Sequence, residues 1–297
     1  MQVVSAADQL SLSNEWYLDI LACPDCAAGF QRHGQQLICE ECGFSAAYAR
    51  NADLRPRRSH GVTLELPPIF DAEAELSGVT LGRPVSTYKG PVGIRDSREL
   101  LSVMEQALSK PGRVLDLGCG PRDQADPIRS LGHQYVGIDV SSSEADIRGD
   151  AHALSFKAES FDFVFSYAVL EHLHNPFLVL SEIKRVLIPG GVFCGTVSQG
   201  EPFHNSFFHH TAWGVLSLVR ASGLEVVRLW PCWDTLSGLA EMGRYPRVLR
   251  YGIRTLDWVH KRFRFLAPRK MRWSDEHKLV DELHRAASIG FVIRKPG

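Results

Sequence analysis

The chain has no apolar run approaching the roughly 18 residues of a membrane-spanning helix, so no such span is expected. Its opening, MQVVSAADQLSLSNEW, lacks a basic stretch ahead of an apolar one, which argues against a secretory leader. It also lacks an excess of one charge: 33 Lys/Arg against 34 Asp/Glu leave a net −1 over 297 residues. That balance weighs against a surface built to coat nucleic acid. Cysteine is sparse and odd in number, seven in all, and four of the seven fall in a metal-like spacing. A disulfide framework is therefore not expected, and a reducing, cytoplasmic compartment is. What remains is ordinary core-forming composition, 44% hydrophobic and 23% charged, long enough for one large domain or two modest ones.

The four spaced cysteines come first. LACPDC is followed after twelve residues by CEEC, giving Cys23, Cys26, Cys39 and Cys42. Two CxxC knuckles so placed can put four thiolates around one Zn²⁺, and a segment too small for its own core then gains its stability from the metal. Four ordinary core cysteines are the alternative, which the paired spacing disfavours. With four protein ligands the zinc would be structural. Residues 15–56 are expected to form this ribbon, and 57–96, with its scattered prolines, glycines and charges, a connector holding one short helix.

From residue 97 the pattern alternates. SRELLSVMEQAL has helical spacing, then RVLDLG, YVGIDV and FDFVFSYAV read as strands. NPFLVLSEIKRVL and TAWGVLSLVRASG read as helices, the second with Thr211 as N-cap and Gly223 just past its end. Such alternation means an α/β, doubly wound, Rossmann-like parallel sheet, with ligands at the carboxyl ends of its strands.

Glycines after the first strand, Gly118 and Gly120 in VLDLGCGPRD, let a ligand approach the backbone. Asp139 ends the second strand, where a carboxylate can accept ribose hydroxyls. Asp150 and Ala151 in GDAHALSF follow a short third strand, in reach of an adenine. With EIKRVLIPGG, the ordered series VLDLGCG, GIDV, GDAHALSF and SFDFVFSYAVLEHL resembles the class I S-adenosylmethionine-dependent methyltransferases across about residues 97–231. The resemblance implies a seven-stranded sheet and S-adenosylmethionine as cofactor. It implies that Asp116 helps hold the methionine amino group, and that Gly118, Cys119, Gly120, Asp139, Val140, Asp150, Ala151 and Tyr167 bind the rest. Two departures stand out: Arg122 sits where many relatives have a third glycine, and Asp150 follows Asp139 by only eleven positions, too few for a full crossover helix. The ribbon stretch resembles small zinc-ribbon proteins that partner certain RNA and protein methyltransferases.

Methyl transfer to oxygen or nitrogen needs alignment and removal of a proton, a task suited to histidine. His172 and His174 follow the fourth strand; His204, His209 and His210 lie after the fifth, in EPFHNSFFHHTAW. His172, His209 and His210 are the candidate bases, with structural roles as the alternative. Residues 241–297 hold 14 Lys/Arg against 6 Asp/Glu, about +8, which leaves about −9 in residues 1–240. Residues 232–288, rich in Arg and aromatics, read as an insertion before the last strand FVIRKPG, within a domain spanning 97–297. It is either a solvated basic face or a cap for an acidic acceptor or its carrier, such as a lipid-linked sugar at an anionic membrane. Two functions stay open: methylation of a small-molecule, natural-product or glycan acceptor, or of RNA clamped by ribbon and insertion. Oligomeric state is not legible.

Overall fold

The computed structural model describes residues 16–48, 51–64, 70–84, 92–201, 205–242, 245–263 and 275–297. His204 lies outside them. Among the described residues, no helix is long and apolar enough to cross a membrane.

The ribbon is a three-stranded antiparallel sheet of β1 (Gln31–His33), β2 (Gln36–Ile38) and β3 (Ser45–Ala47). A two-residue strand, β4 (Ala52–Asp53), follows, then helix α1 (Ala72–Ser77), strand β5 (Thr80–Leu81) and helix α2 (Val92–Ala107). The second domain adds β6 (Arg113–Leu117), α3 (Ala125–Ser130), β7 (Gln134–Asp139), β8 (Ile147–Arg148) and β9 (Phe161–Tyr167). Next come α4 (Pro176–Val186), β10 (Leu187–Ser198), α5 (Ala212–Ala221) and β11 (Glu225–Asp234). The chain closes with α6 (Thr235–Met242), α7 (Arg247–Phe263), α8 (Asp275–His284) and β12 (Ala286–Arg294).

Local chemistry accounts for the two helices that read most clearly. Asn175 caps α4 by accepting from the Leu178 N–H (3.2 Å), ahead of a proline in the first turn, and Lys184 and Arg185 sit in the last turn. Thr211 caps α5 through the Gly214 N–H (3.1 Å), and Gly223 beyond it takes a left-handed φ of 64°. Strands β6, β7 and β9 are buried on both faces, as parallel strands covered by helices must be.

The main sheet has nine strands in the order β4-β8-β7-β6-β9-β10-β12-β11-β5. Its inner seven are parallel except β12, which lies antiparallel to both β10 and β11. The two outer strands come from the N-terminal segment. β4 pairs with β8 at one edge, and β5 pairs with β11 at the other. Residues 54–79 therefore lead from one edge of the sheet to the opposite edge, which a plain connector at 57–96 did not anticipate. Helix α2 also begins at Val92, five residues ahead of the expected domain start.

The ribbon and the sheet share one hydrophobic core, in which Tyr17, Ile20, Leu21 and Phe44 join Leu154, Phe156 and Phe161. Trp16 meets Phe161 edge-on at 6.2 Å, and the Ala22 N–H donates to the Ser155 carbonyl at 3.0 Å. At the far edge Trp230 is fully buried and donates its indole N–H to Glu99 (3.2 Å), which Arg83 holds in turn at 3.0 Å. A β-carbon on Gly290 would lie 2.1 Å from that indole, so the glycine in β12 makes room for Trp230.

β11 runs to Asp234 and β12 starts at Ala286, so the insertion between them is 235–285, not 232–288. The segment AASIG ahead of FVIRKPG had no strand signature of its own, yet Ser288 pairs with both Ser198 and Trp233.

Candidate functional site

The opening motif folds as its glycines require. β6 ends at Leu117, and Gly118 and Gly120 take left-handed φ values of 71° and 48°. A β-carbon on Gly118 would sit 2.5 Å from Val169, so this position needs glycine for space as well as conformation. The turn is clamped to the end of β7. The Gly118 and Cys119 N–H groups donate to the Ile138 carbonyl (2.9 and 3.1 Å), and Gly120 N–H donates to Asp139 Oδ2 (3.1 Å).

Asp139 Oδ1 accepts from the N–H groups of Ser141 and Ser142 at 2.9 and 2.8 Å. Burial works against its charge, but these donors and Gly120 outweigh it and hold the carboxyl below its ordinary range. It is thus a fixed anion at the strand terminus.

Arg122 adopts the left-handed conformation a third glycine would supply, with φ 64°. Such a conformation costs about 1–2 kcal/mol for a residue with a β-carbon. Its guanidinium pairs with Asp146 at 2.8 Å, both groups largely buried. Asp146 also accepts from the Gly137 N–H at 2.9 Å. The arginine keeps the turn and bolts it to the next loop.

That loop, residues 140–146, has no helix. The ribbon holds it instead: the Asn51 side-chain amide donates to the carbonyls of Ser142 (3.2 Å), Ser143 (2.7 Å) and Ala145 (3.1 Å), and its backbone N–H to that of Asp146 (2.7 Å). Asn51 does so from a left-handed φ of 62°, which asparagine tolerates. The path Asn51–Asp146–Arg122 runs from the ribbon to the glycine turn.

A cavity of about 440 Å³ opens at the carboxyl ends of β6 to β9. Of the residues the sequence singled out, Gly118, Asp139, Val140, Asp150, Ala151 and His172 line it. Asp116 lies buried behind it, its carboxylate accepting the Tyr135 hydroxyl proton at 2.8 Å. Burial pushes this carboxyl up to about 7, against the opposing pull of Tyr135 and Arg122. Cys119 is buried, and burial pushes its thiol up, which removes it as a nucleophile. Gly120 and Tyr167 do not line the cavity, Tyr167 being partly exposed at the end of β9.

Sequence reasoning missed His152. It lines the cavity, its Nδ1 is 2.6 Å from Asp150 Oδ1, and its Nε2 accepts the Asn175 N–H at 3.2 Å. Those partners place the proton on Nδ1. Burial opposes the Asp150 charge, yet the hydrogen bonds from His152 hold that carboxyl low. The His174 ring lies 4.1 Å from that of His152, and both line the cavity. Ala168, at the cavity wall, has a left-handed φ of 55°, held by its N–H to Thr196 Oγ1 at 3.1 Å. Strain of this kind concentrates at functional sites.

The two later histidines are placed differently. His210 is buried, its N–H on the Ser198 carbonyl at 2.8 Å, and burial lowers its basicity. His209 is exposed. Neither lines the cavity, but His209 and His172 both act electrostatically on Glu201, whose carboxyl burial raises. Glu171 is fully buried beside them, and burial pushes it up to about 7. Two carboxyls raised by burial, Glu171 and Glu201, thus lie among these histidines.

In the ribbon the sulfurs of Cys23, Cys26, Cys39 and Cys42 all lie within 4.8 Å of one another, with Cys26–Cys39 at 3.4 Å and Cys23–Cys42 at 3.5 Å. Four thiolates around Zn²⁺ at about 2.3 Å would be about 3.8 Å apart, so the set fits that ion. The knuckles repeat one pattern. Cys23 and Cys39 N–H donate to the Ala28 and Phe44 carbonyls (2.7 and 2.8 Å), and their carbonyls accept from Ala27 and Gly43 (2.8 and 2.9 Å). Ala27 and Gly43 share a left-handed φ, 61° and 75°. Ala27→Gly should therefore stabilise the protein by about 1 kcal/mol, read as a raised melting temperature; a lowered one would contradict the strain.

The sheet has the Rossmann-like order of the class I methyltransferase fold. Residues 115–195 match the family described as Methyltransferase domain. The chain is similar to the ubiquinone biosynthesis O-methyltransferase of Dinoroseobacter shibae, 35% identical over 103 residues that cover 29% of this chain and 42% of that protein. It is also similar to a protein of Mycolicibacterium smegmatis described as a probable S-adenosylmethionine-dependent methyltransferase, 32% identical over 156 residues, 43% of this chain and 58% of that one. The chain thus spans less than half the length of the ubiquinone relative it matches. Among solved structures it is similar to the [4+2]-cyclase SpnF, with 19% identity, a TM-score of 0.47, and coverage of 73% of this chain and 88% of that one.

Proposed function

We propose that the protein transfers a methyl group from S-adenosylmethionine to a small-molecule acceptor, with oxygen as the favoured atom. The observation that carries this is the cavity joining Gly118, Asp139, Asp150, Ala151 and His172 at the carboxyl ends of four parallel strands. The similarity to an O-methyltransferase supports the acceptor atom. Natural products and glycans belong to the same acceptor class; RNA is the competing one.

When bound, S-adenosylmethionine supplies a methyl group already activated on a sulfonium. The residues then divide the remaining work. Asp139, a preset anion, accepts the ribose hydroxyls, and Asp150, fixed by His152, faces the adenine with Ala151 beside it. Asp116, buried behind the cavity, would help hold the methionine ammonium, directly or through water. His172, at the cavity wall, would take the acceptor proton as the methyl carbon exchanges its bond to sulfur for one to the acceptor atom. His209 and His210 stand outside the cavity and serve the acceptor side through Glu201 and packing. The ribbon cysteines hold a structural Zn²⁺.

Titration calorimetry with S-adenosylmethionine and its demethylated product tests the cofactor half. Saturable one-to-one binding of both is expected; no heat from either would overturn the proposal. Asp116 adds a pH signature. Its carboxyl, raised to about 7 in the free protein, must ionise to hold an ammonium, so binding should release a proton and tighten as pH rises through about 7. Asp116→Asn should flatten that slope. A slope unchanged in the variant would assign the proton elsewhere.

A further inference from the structure

Helix α7 (Arg247–Phe263) segregates its residues sharply. At 100° per residue, Val248, Leu249, Leu256 and Val259 share one arc, and Arg247, Arg250 and Arg254 the opposite one. A helix laid on its parent domain covers such an apolar arc. Here Val248 is 84% exposed and Leu256 67%, and Leu249 and Val259 are exposed too. Tyr251 and Trp258, also exposed, lie among the basic residues.

The helix is mounted at one end of the sheet. It packs on α6, whose first residue, Thr235, donates from N–H and hydroxyl to the Arg285 carbonyl (3.1 and 2.8 Å). Gln199, just past β10, donates to the Leu283 and Ala286 carbonyls (2.7 and 2.9 Å) and accepts from Ala212. The insertion therefore springs from the carboxyl ends of β10 and β11, the same edge of the sheet as the cavity.

We propose that α7 docks on an anionic membrane surface, its apolar arc among the acyl chains and its cations at the headgroups. Charge selects this occupant. The helix sequence holds five Lys/Arg against one Asp. Two copies of one basic face would repel each other, and a nucleic acid would leave four apolar residues in water. A bilayer with anionic lipids satisfies both arcs, with Tyr and Trp at the boundary. Docking turns the cavity edge of the sheet toward the bilayer. The consequence that an amphiphilic acceptor enters from the leaflet rests on the proposed methyltransferase activity; the docking does not.

The full chain is sedimented with vesicles of phosphatidylcholine alone or mixed equally with phosphatidylglycerol. Binding is expected on the mixed vesicles, at least about tenfold weaker on phosphatidylcholine, and reversed by salt. Val248→Glu/Leu256→Glu should reduce it at least about tenfold with the melting temperature and S-adenosylmethionine affinity unchanged. Wild-type protein left in the supernatant with both vesicles would overturn the proposal, as would equal binding by the double variant. Self-association that the variant abolishes, with no vesicle binding, would assign the face to a second copy instead. If docking holds while S-adenosylmethionine fails to bind, the surface stands and the catalytic proposal falls.

Discussion

Asp139→Ala is expected to weaken S-adenosylmethionine binding by at least about 100-fold. Two ribose hydroxyls on one carboxylate make charge-assisted hydrogen bonds worth about 1.5–3 kcal/mol each. The loss is compounded because the same carboxylate organises its surroundings. Its two oxygens accept from Gly120, Ser141 and Ser142, so alanine would leave three backbone donors without their anion. Asp139→Asn does not rescue, since its amide must turn a donor toward N–H groups. Calorimetry reads the affinity, and circular dichroism checks that the fold persists. A change under about threefold would remove Asp139 from the cofactor site.

Removing zinc should cost cofactor binding as well as the ribbon. Structural zinc contributes on the order of 10 kcal/mol to small cysteine sites, so chelation should melt the three-strand ribbon. That ribbon is continuous with the sheet. It supplies β4 at the edge, part of the shared core, and Asn51 on the loop after Asp139. Chelated protein should therefore bind S-adenosylmethionine at least about 100-fold more weakly. Asn51→Gly separates the two effects. Glycine keeps the left-handed backbone and deletes only the amide, whose three hydrogen bonds contribute about 0.5–1.5 kcal/mol each. This variant should retain its zinc by elemental analysis yet bind the cofactor about tenfold more weakly, with faster hydrogen exchange over residues 141–146. Wild-type affinity in Asn51→Gly would show that the ribbon is only a neighbour.

The physical reason for this dependence lies in the ten residues between Asp139 and Asp150. Too short for a crossover helix, they leave that flank of the sheet uncovered. The N-terminal segment covers it with a two-residue strand and one asparagine side chain. Arg122 completes the arrangement, exchanging a glycine's freedom for an ion pair to Asp146 in the same loop.

The parallel strands were legible because each is a buried apolar run, and the acids proposed to hold the cofactor sit near strand ends, where an open α/β sheet places its ligands. The cysteine knuckles were legible from spacing alone. β4 and β5 were not, since strands of two residues carry no periodicity and exist only through their partners β8 and β11. His152 was passed over because a single histidine between two alanines resembles core; its contacts depend on Asp150 two residues earlier and on Asn175, distant in sequence. The exposed face of α7 was legible only as basic and aromatic content. Whether its apolar arc is covered is a tertiary property.

The most direct test of the catalytic proposal supplies purified protein with tritiated S-adenosylmethionine and an extract of the source cells, then separates RNA, protein, lipid and small molecules. The proposal predicts label in the small-molecule or lipid fraction, absent with Asp139→Ala. Label confined to RNA and released by nuclease would contradict it, and would make ribbon and insertion a clamp for nucleic acid.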